Sequence, residues 1–215
     1  MKVLLIADSP DFDSAYIQRR AGTVDQIIVT DGAVDKLPPD VCPHIICGDF
    51  DSLQLPSARE RFVASEFITL ADQNQNDLEK ALVLALSRGA KDITIASAFG
   101  GRMDISIANL SVMIRHHTSC HLAMVHGKVM TRVLSDRSSE AASVTFEAPH
   151  GSQLSCIPLD GEAVVSISNV KWPLLKASLQ SGSHGVSNEA SGGAITVQVH
   201  RGLVVVGYEF AESLP

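Results

Sequence analysis

The sequence predicts an α/β domain with a parallel sheet, followed by a small antiparallel β domain. From residue 1 to about 125, short β-branched runs alternate with helical stretches. These runs are continuously apolar, which is typical of strands covered by helices on both faces. After about residue 128 the helical period disappears, and serine- and glycine-rich stretches with alternating polarity follow. The change in periodicity therefore predicts both the fold class and the order of the domains.

Six apolar runs are the predicted strands of the first domain. They read KVLLIA, QIIVT, HIICG, FITLA, DITIAS and HLAMV. The best-defined helix, NDLEKALVLALSRGAK, carries one buried stripe at helical spacing, formed by Leu78, Ala81, Leu82, Ala85 and Leu86. Asn76 is expected to cap this helix, with Glu79 reaching back, and Gly89 is expected to end it.

The second domain is predicted from strands whose apolar residues alternate. In AITVQVHRGLVVVGYEF, Ile195, Val197 and Val199 alternate with polar residues. The HRG sequence within this stretch predicts a tight hairpin between two neighbouring strands. The last residues, AESLP, are expected to fray.

Composition and charge limit the functions that the chain can have. With 215 residues and 45% hydrophobic content, the chain can bury a sizeable core. Its 24 acidic and 17 basic residues give a net charge of -7 without a basic block, which argues against a nucleic-acid partner and favours a small substrate.

The cellular location is predicted from the hydrophobic runs and the cysteines. The start, MKVLLIADSP, has too few apolar residues for a signal-peptide core, and no later run approaches a membrane span. We therefore expect a cytoplasmic protein without a membrane partner. Cys42, Cys47, Cys120 and Cys156 form no CxxC pair, so we expect reduced and mostly buried thiols.

Several aspartates follow predicted strands directly. Asp31 follows QIIVT, Asp49 and Asp51 follow HIIC, and Asp72 and Asp77 follow FITLA. Ligands of open α/β sheets bind outside the carboxyl ends of the strands, so these acids are expected to converge there.

Asp49 and Asp51, two positions apart on an extended segment, would point the same way, and Mg²⁺ would offset their repulsion. Alternatively, DFDS is an ordinary turn and Asp77 is only a first-turn acid favoured by the helix dipole.

A glycine-arginine turn in SAFGGRMDISIANL follows the strand DITIAS. Gly100 and Gly101 would let a ligand approach the backbone closely, and Arg102 would bind phosphate oxygens. Alternatively, the turn is structural, and Arg102 and Asp104 form a local ion pair. Since neither GxxxxGK[ST] nor an early GxGxxG is present, the predicted nucleotide-metal site is of another type.

Six blocks follow one another in this order: TDGAVDKL, GDFDS, DQNQNDLEKAL, GGRMDISIAN, VKWPL and GVSNEASGG. Thiamine pyrophosphokinases have the same blocks in the same order, and the sequence resembles this family over nearly its whole length. The resemblance implies a Rossmann-like α/β catalytic domain at residues 1–128 and a β-sandwich thiamine-binding domain at residues 129–215. It implies a homodimer with active sites between domains of different subunits. The implied reaction transfers pyrophosphate from ATP to the hydroxyl of thiamine, giving thiamine diphosphate and AMP.

The same resemblance implies roles for individual residues. Asp49, Asp51 and Asp77 would hold Mg²⁺, with Asp31 in support. Arg102 would neutralise phosphate charge, and Asp104 would accept the proton of the thiamine hydroxyl. Further binding residues are Gln73, Asn76, Lys80, Gly101, Trp172, Ser187 and Asn188, with Trp172 stacking on thiamine. From the residues alone, Lys80 could instead be solvated and Trp172 could belong to the core.

The sequence departs from the family pattern at three places. One glycine is missing before Val34, Asn76 replaces the usual threonine, and Ile105 replaces a histidine. These differences leave two alternatives. One is a related pyrophosphokinase or metal-dependent phosphohydrolase with another substrate. The other is a non-catalytic thiamine- or nucleotide-binding protein, against which the retained acids argue.

Overall fold

The computed structural model describes residues 1–51 and 53–210, and the chain divides into two compact units. Unit 1 comprises residues 1–112 and 124–127. Unit 2 comprises residues 113–123 and the chain from residue 128 onward. The fraying expected of residues 211–215 lies outside the described residues.

The helices and strands up to residue 127 are β1 (Lys2–Ile6), α1 (Ser14–Ala21), β2 (Gln26–Thr30), a 3-10 helix (Asp31–Lys36), β3 (Ile45–Gly48), α2 (Leu55–Arg61), β4 (Glu66–Thr69), α3 (Asp77–Ser87), β5 (Asp92–Ala96), α4 (Met103–His116) and β6 (His121–His126). Unit 1 contains a parallel sheet with the strand order β5-β1-β2-β3-β4. The predicted α/β fold class is confirmed. All four residues of β3 are buried, which explains why this run is continuously apolar.

Both ends of α3 follow the local signals in the sequence. The Asn76 side chain accepts a hydrogen bond from the Glu79 backbone N–H at 2.9 Å. At the other end Gly89 has a φ of +85°, its N–H donates to Leu86, and the N–H of Ala90 donates to Ala85. This pair of bonds is a Schellman motif, which satisfies carbonyls that the helix end would leave unpaired.

The face of α3 that packs inward is wider than the predicted stripe. Leu78 and Leu82 are buried as expected, whereas Leu86 is only half-buried. Glu79 and Lys80, which the apolar pattern does not include, are also buried.

Unit 2 contains two antiparallel sheets with a common core. Its further strands are β7 (Val129–Ser135), β8 (Ser143–Ala148), β9 (Gln153–Pro158), β10 (Glu162–Ser168), β11 (Leu174–Gln180), β12 (Asn188–Glu189), β13 (Gly193–Arg201) and β14 (Leu203–Glu209). They run in the orders β12-β9-β14-β7 and β11-β10-β13-β8. Apolar residues from both sheets, such as Cys156, Val206, Val165 and Val197, form the core, which confirms the predicted β sandwich.

The predicted hairpin at HRG is wrong. β13 pairs with β10 and β8, while β14 pairs with β7 and β9, so each strand already has two other partners. The chain instead passes from one sheet to the other at Gly202, which has a φ of +91°. A Cβ atom there would lie 2.8 Å from the carbonyl oxygen of Glu162, so this crossing requires glycine.

The four cysteines form no disulfide bond and differ in exposure. Cys47 and Cys156 are buried, Cys120 is half-buried and Cys42 is exposed. Burial raises the pKa of the Cys47 and Cys156 thiols to about 12. Across residues 1–51 and 53–210, no helix combines the length and apolar character that spanning a bilayer requires.

Candidate functional site

A cavity of about 330 Å³ opens at the carboxyl ends of β1, β2 and β3 in unit 1. It is lined by Ala7, Asp8, Thr30, Asp31, Gly32, Asp49, Asp51, Asn76, Asp77, Leu78, Ile105 and Asn109. The structure thus brings together the four aspartates to which the sequence analysis assigned the metal and its support. They converge because parallel strands end at the same edge of the sheet.

Asp31 is the most buried acid of the cavity, with a relative exposure of 4%. Its Oδ1 accepts a hydrogen bond from the Gly32 N–H at 2.9 Å, and its Oδ2 accepts one from the Phe50 N–H at 2.7 Å. Burial raises the pKa of Asp31, and the charges of Asp77 and Asp49 raise it further, although both hydrogen bonds oppose the shift. Asp31 therefore links the carboxyl end of β2 to the turn that carries Asp49 and Asp51.

That turn is not the extended segment expected from the sequence. Phe50 has a φ of +65°, and the Asp51 N–H donates to Asp49 Oδ1 at 3.2 Å. The expectation was wrong because the bond from Phe50 to Asp31 holds the backbone in the left-handed region, which costs about 1–2 kcal/mol for a non-glycine residue. Gly48 permits this arrangement, since a Cβ atom there would lie 2.3 Å from Asp31 Cγ.

Lys80 is buried beside the cavity rather than solvated on the helix. Its Nζ donates to Asp77 Oδ1 at 2.8 Å and to the Leu70 carbonyl at 3.2 Å, and its side chain is 6% exposed. Burial alone would lower the pKa of Lys80, but the hydrogen bond to Asp77 and the nearby acids raise it overall. A fixed ammonium group therefore offsets part of the negative charge of the cavity.

Asp8 and Asn109 belong to the cavity but were missed in the sequence analysis. Asp8 follows β1 as Asp31 follows β2, so the same signal of an acid after a strand would have found it. It pairs with Lys36. Asn109 lies inside the apolar pattern of α4, where its side chain carries no recognisable signal.

Arg102 and Asp104 pair with each other at the surface, as the structural alternative for the glycine-arginine turn predicts. Arg102 Nε donates to Asp104 Oδ1 at 3.1 Å, and the two side chains are 75% and 64% exposed. This pairing lowers the pKa of Asp104, which makes it a weaker proton acceptor. Neither residue is among the described residues that line the cavity.

The space at the glycine turn is filled by the chain itself. A Cβ atom on Gly100 would lie 2.2 Å from Asp11 Oδ2, and one on Gly101 would lie 2.6 Å from Pro10 Cγ. The glycines therefore let the loop after β1 approach the turn closely. Gln73 is exposed and is not among the described residues that line the cavity.

A second cavity of about 330 Å³ lies in unit 2 and brings together Trp172, Ser187 and Asn188. The backbone N–H of Trp172 donates to Asn188 Oδ1 at 3.2 Å, and Asn188 Nδ2 donates to the Trp172 carbonyl at 2.8 Å. Trp172 is 55% exposed, so it is not a core residue. The sequence analysis missed His184, which also lines this cavity. An exposed indole beside polar groups suits a flat polar ligand.

The acids of the first cavity suit a magnesium ion that is shared with a substrate. Among the residues that the structure describes, no group of three His, Cys, Asp or Glu side chains is arranged to hold a metal ion. Mg²⁺ usually takes one or two protein carboxylates and completes its shell with water and substrate phosphates. The carboxylates that line this cavity match that donor set. One of them, Asp31, is desolvated and is repelled by Asp77 and Asp49, so a bound cation would stabilise its charge.

The fold and cavities define a two-unit protein with an acidic cavity at the edge of a parallel sheet and a cavity beside an exposed tryptophan in a β sandwich. Residues 18–124 match the family described as "Thiamin pyrophosphokinase, catalytic domain". Residues 142–204 match "Thiamin pyrophosphokinase, vitamin B1 binding domain". The chain therefore belongs to the thiamin pyrophosphokinase family of enzymes.

Individual relatives agree with this assignment. The chain is 31% identical over 98 residues to thiamin pyrophosphokinase 1 of Caenorhabditis elegans. That alignment covers 41% of this chain and 39% of the relative, so the chain spans less than half the length of this curated relative.

Solved structures show the same fold. A thiamine pyrophosphokinase from Bacillus subtilis has a TM-score of 0.82 at 20% identity, covering 98% of this chain and 99% of that chain. One from Candida albicans has a TM-score of 0.78 at 15% identity, covering 98% and 89%. At such identities the likeness concerns the fold alone.

Proposed function

We propose that this protein transfers a pyrophosphoryl group from ATP to the hydroxyethyl oxygen of thiamine, giving thiamine diphosphate and AMP. The observation that carries the proposal is the convergence of Asp31, Asp49, Asp51 and Asp77 in one cavity of unit 1. The matches of both units to the two thiamin pyrophosphokinase domains support it. Transfer of this kind needs mainly positioning and neutralisation of charge.

Asp49, Asp51 and Asp77 would hold Mg²⁺ in the proposed complex. The ion would supply positive charge for the phosphate oxygens of ATP. Asp31 maintains the turn that presents Asp49 and Asp51, and Lys80 fixes one oxygen of Asp77. Asn76 caps the N-terminus of α3, where Asp77 lines the cavity.

Arg102 and Asp104 would act together in the proposed reaction. Phosphate oxygens compete well with a carboxylate for an arginine fork, so bound ATP would draw Arg102 away from Asp104. Loss of that partner would raise the pKa of Asp104, which would then accept the hydroxyl proton of thiamine. Gln73 and Gly101 are proposed as further contacts for the substrates.

Thiamine would bind in the cavity of unit 2. Its flat aminopyrimidine and cationic thiazolium suit the exposed face of Trp172, with Ser187 and Asn188 supplying polar contacts. We further propose that the protein is a cytoplasmic homodimer. Sedimentation equilibrium would test the dimer, and a single species of monomer mass would contradict it.

The test of the function is to incubate the purified protein with thiamine, ATP and Mg²⁺ and to identify the products by mass spectrometry. We expect thiamine diphosphate and equimolar AMP. Thiamine monophosphate with ADP would mean that a different phosphorus is attacked. Asp49→Asn and Asp51→Asn should lose activity, whereas the matched control Asp72→Asn should keep it, because Asp72 is exposed and outside the cavity lining.

A related pyrophosphokinase or metal-dependent phosphohydrolase that acts on another small alcohol or phosphate is the second candidate. Ile105 lines the acidic cavity with 39% exposure, and it places an apolar group where the family pattern has a histidine. An apolar wall there favours a less polar acceptor than thiamine. Release of inorganic phosphate or pyrophosphate from ATP without any thiamine product would favour this candidate.

A further inference from the structure

We propose that Asn109 is a positioning residue that sets the start of α3 and thereby the position of Asp77 in the acidic cavity. The inference rests on the proposed function, since it assigns Asn109 a part in binding the divalent cation of that reaction. Asn109 is 4% exposed and lines the cavity, although it lies on α4, an element that carries none of the cavity aspartates.

Hydrogen bonds connect Asn109 to two other elements. Its Nδ2 donates to the Ala98 carbonyl, just after β5, at 2.7 Å. Its Oδ1 accepts from Asn76 Nδ2 at 2.9 Å. Asn76 Oδ1 in turn accepts from the Glu79 N–H, which caps α3. We call this chain of bonds from Ala98 to Glu79 the amide relay.

The orientation of both amides in the relay is determined by the main chain. The Ala98 carbonyl can only accept a hydrogen bond, so Asn109 must turn its NH₂ group toward it. The Asn109 oxygen then faces Asn76, which must donate with its own NH₂ and cap the helix with its oxygen. Asn109 is buried and Asn76 is half-buried, and hydrogen bonds in such surroundings hold the two amides in one arrangement.

This arrangement bears directly on Asp77. Asn76 is the cap of α3, and Asp77 is the first residue of the helix. Repulsion between Asp31 and Asp77 acts to move the Asp77 carboxylate away from the cavity. The amide relay opposes that movement from the side of α4, while Lys80 holds one oxygen from within α3. We therefore expect loss of the relay to weaken cation binding without removing any ligand.

The test measures binding of Mn²⁺, as the probe, by electron paramagnetic resonance, and needs no turnover. Asn109→Leu removes both bonds, and Asn76→Ser keeps the helix cap but not the link to Asn109. We expect both variants to raise the Kd for Mn²⁺ about tenfold, as loss of groups that orient metal ligands does. Ser135→Ala is the matched control, because it removes a buried hydrogen bond to His117 in unit 2. It should lower the melting temperature with an unchanged Kd.

The outcomes separate this inference from the proposed function. An unchanged Kd in both variants would overturn the role of Asn109, as would a parent protein that binds no Mn²⁺. A Kd raised equally by Ser135→Ala would also overturn it, since the effect would then follow stability alone. A raised Kd in the two relay variants, together with a parent that forms no thiamine diphosphate, would support the relay and refute the proposed reaction.

Discussion

Replacing Lys80 with methionine tests whether this buried ammonium offsets repulsion among the acids of the cavity. Methionine fills similar space, so the packing loss is small. The variant loses the bond to the Leu70 carbonyl, which contributes about 1 kcal/mol. It also loses the pair with Asp77, whose 43% exposure reduces that contribution to about 1–2 kcal/mol. We expect the free energy of unfolding to fall by about 2–3 kcal/mol at pH 7.5.

The pH dependence of this loss distinguishes charge from packing. The pKa of Lys80 is raised, so its stabilising contribution is complete below its unfolded value of 10.5 and disappears only as the pH rises through the folded pKa. The titration of Lys80 itself therefore does not change this contribution between pH 4.5 and 7.5. The pKa of Asp31 is also raised, so the cost of its charge is present above the folded pKa and disappears as the pH falls toward 3.8. The loss should therefore be smaller at pH 4.5 than at pH 7.5, because Asp31 takes up a proton more readily as the pH falls and then carries no charge for Lys80 to offset.

Urea unfolding of the parent and the variant at both pH values provides the measurement. Lys36→Met is the matched control, because the Lys36 and Asp8 side chains are 41% and 47% exposed. Their pair should contribute less than about 1 kcal/mol at pH 7.5. An equal loss for Lys80→Met at both pH values would refute the charge argument and leave only packing.

Three other predictions concern Gly48, which lies against the Asp31 side chain, the exposed Trp172 and the cysteine thiols. Gly48→Ala should destabilise the protein by about 1–3 kcal/mol, since the new Cβ would overlap Asp31; an unchanged urea midpoint would contradict the close contact. Trp172→Ala should raise the KM for thiamine about tenfold or more with a folded structure retained, and an unchanged KM would place thiamine elsewhere. A thiol reagent should label Cys42 within minutes in the native protein and Cys47 only after unfolding, because Cys47 is buried and its pKa is about 12; equal labelling rates would contradict its burial.

The sequence predicts the parallel sheet well because its signals are local. Each of the six apolar runs forms a strand, although β4 has no buried residue and so is not covered on both faces as expected. The caps at Asn76 and Gly89 lie at the ends of α3 as expected. The convergence of the acids is also predictable, because it follows from the direction of the strands. By contrast, the passage of the chain from one sheet to the other at Gly202 is not predictable from a local pattern. It depends on which distant strands pair with β13 and β14.

The detail of the site depends on tertiary contacts that a pattern does not contain. Phe50 takes a positive φ because its N–H donates a hydrogen bond to Asp31, which follows the end of another strand, β2. Lys80 is buried because Asp77 and the Leu70 carbonyl satisfy its charge, whereas spacing on a helix predicts only a polar residue. Asn109 carries no local signal at all, since both of its partners lie on other elements.

The passage of the chain between the two sheets at Gly202 has a consequence for the folding rate of unit 2. Without a local hairpin there, its strands pair over long separations: Thr145 bonds to Thr196 across 51 residues, and Tyr208 bonds to Met130 across 78. Such contacts require large loops to close before any pairing energy is gained, which slows folding. Unit 2 should therefore refold in milliseconds to seconds, the range of β sandwiches dominated by distant contacts.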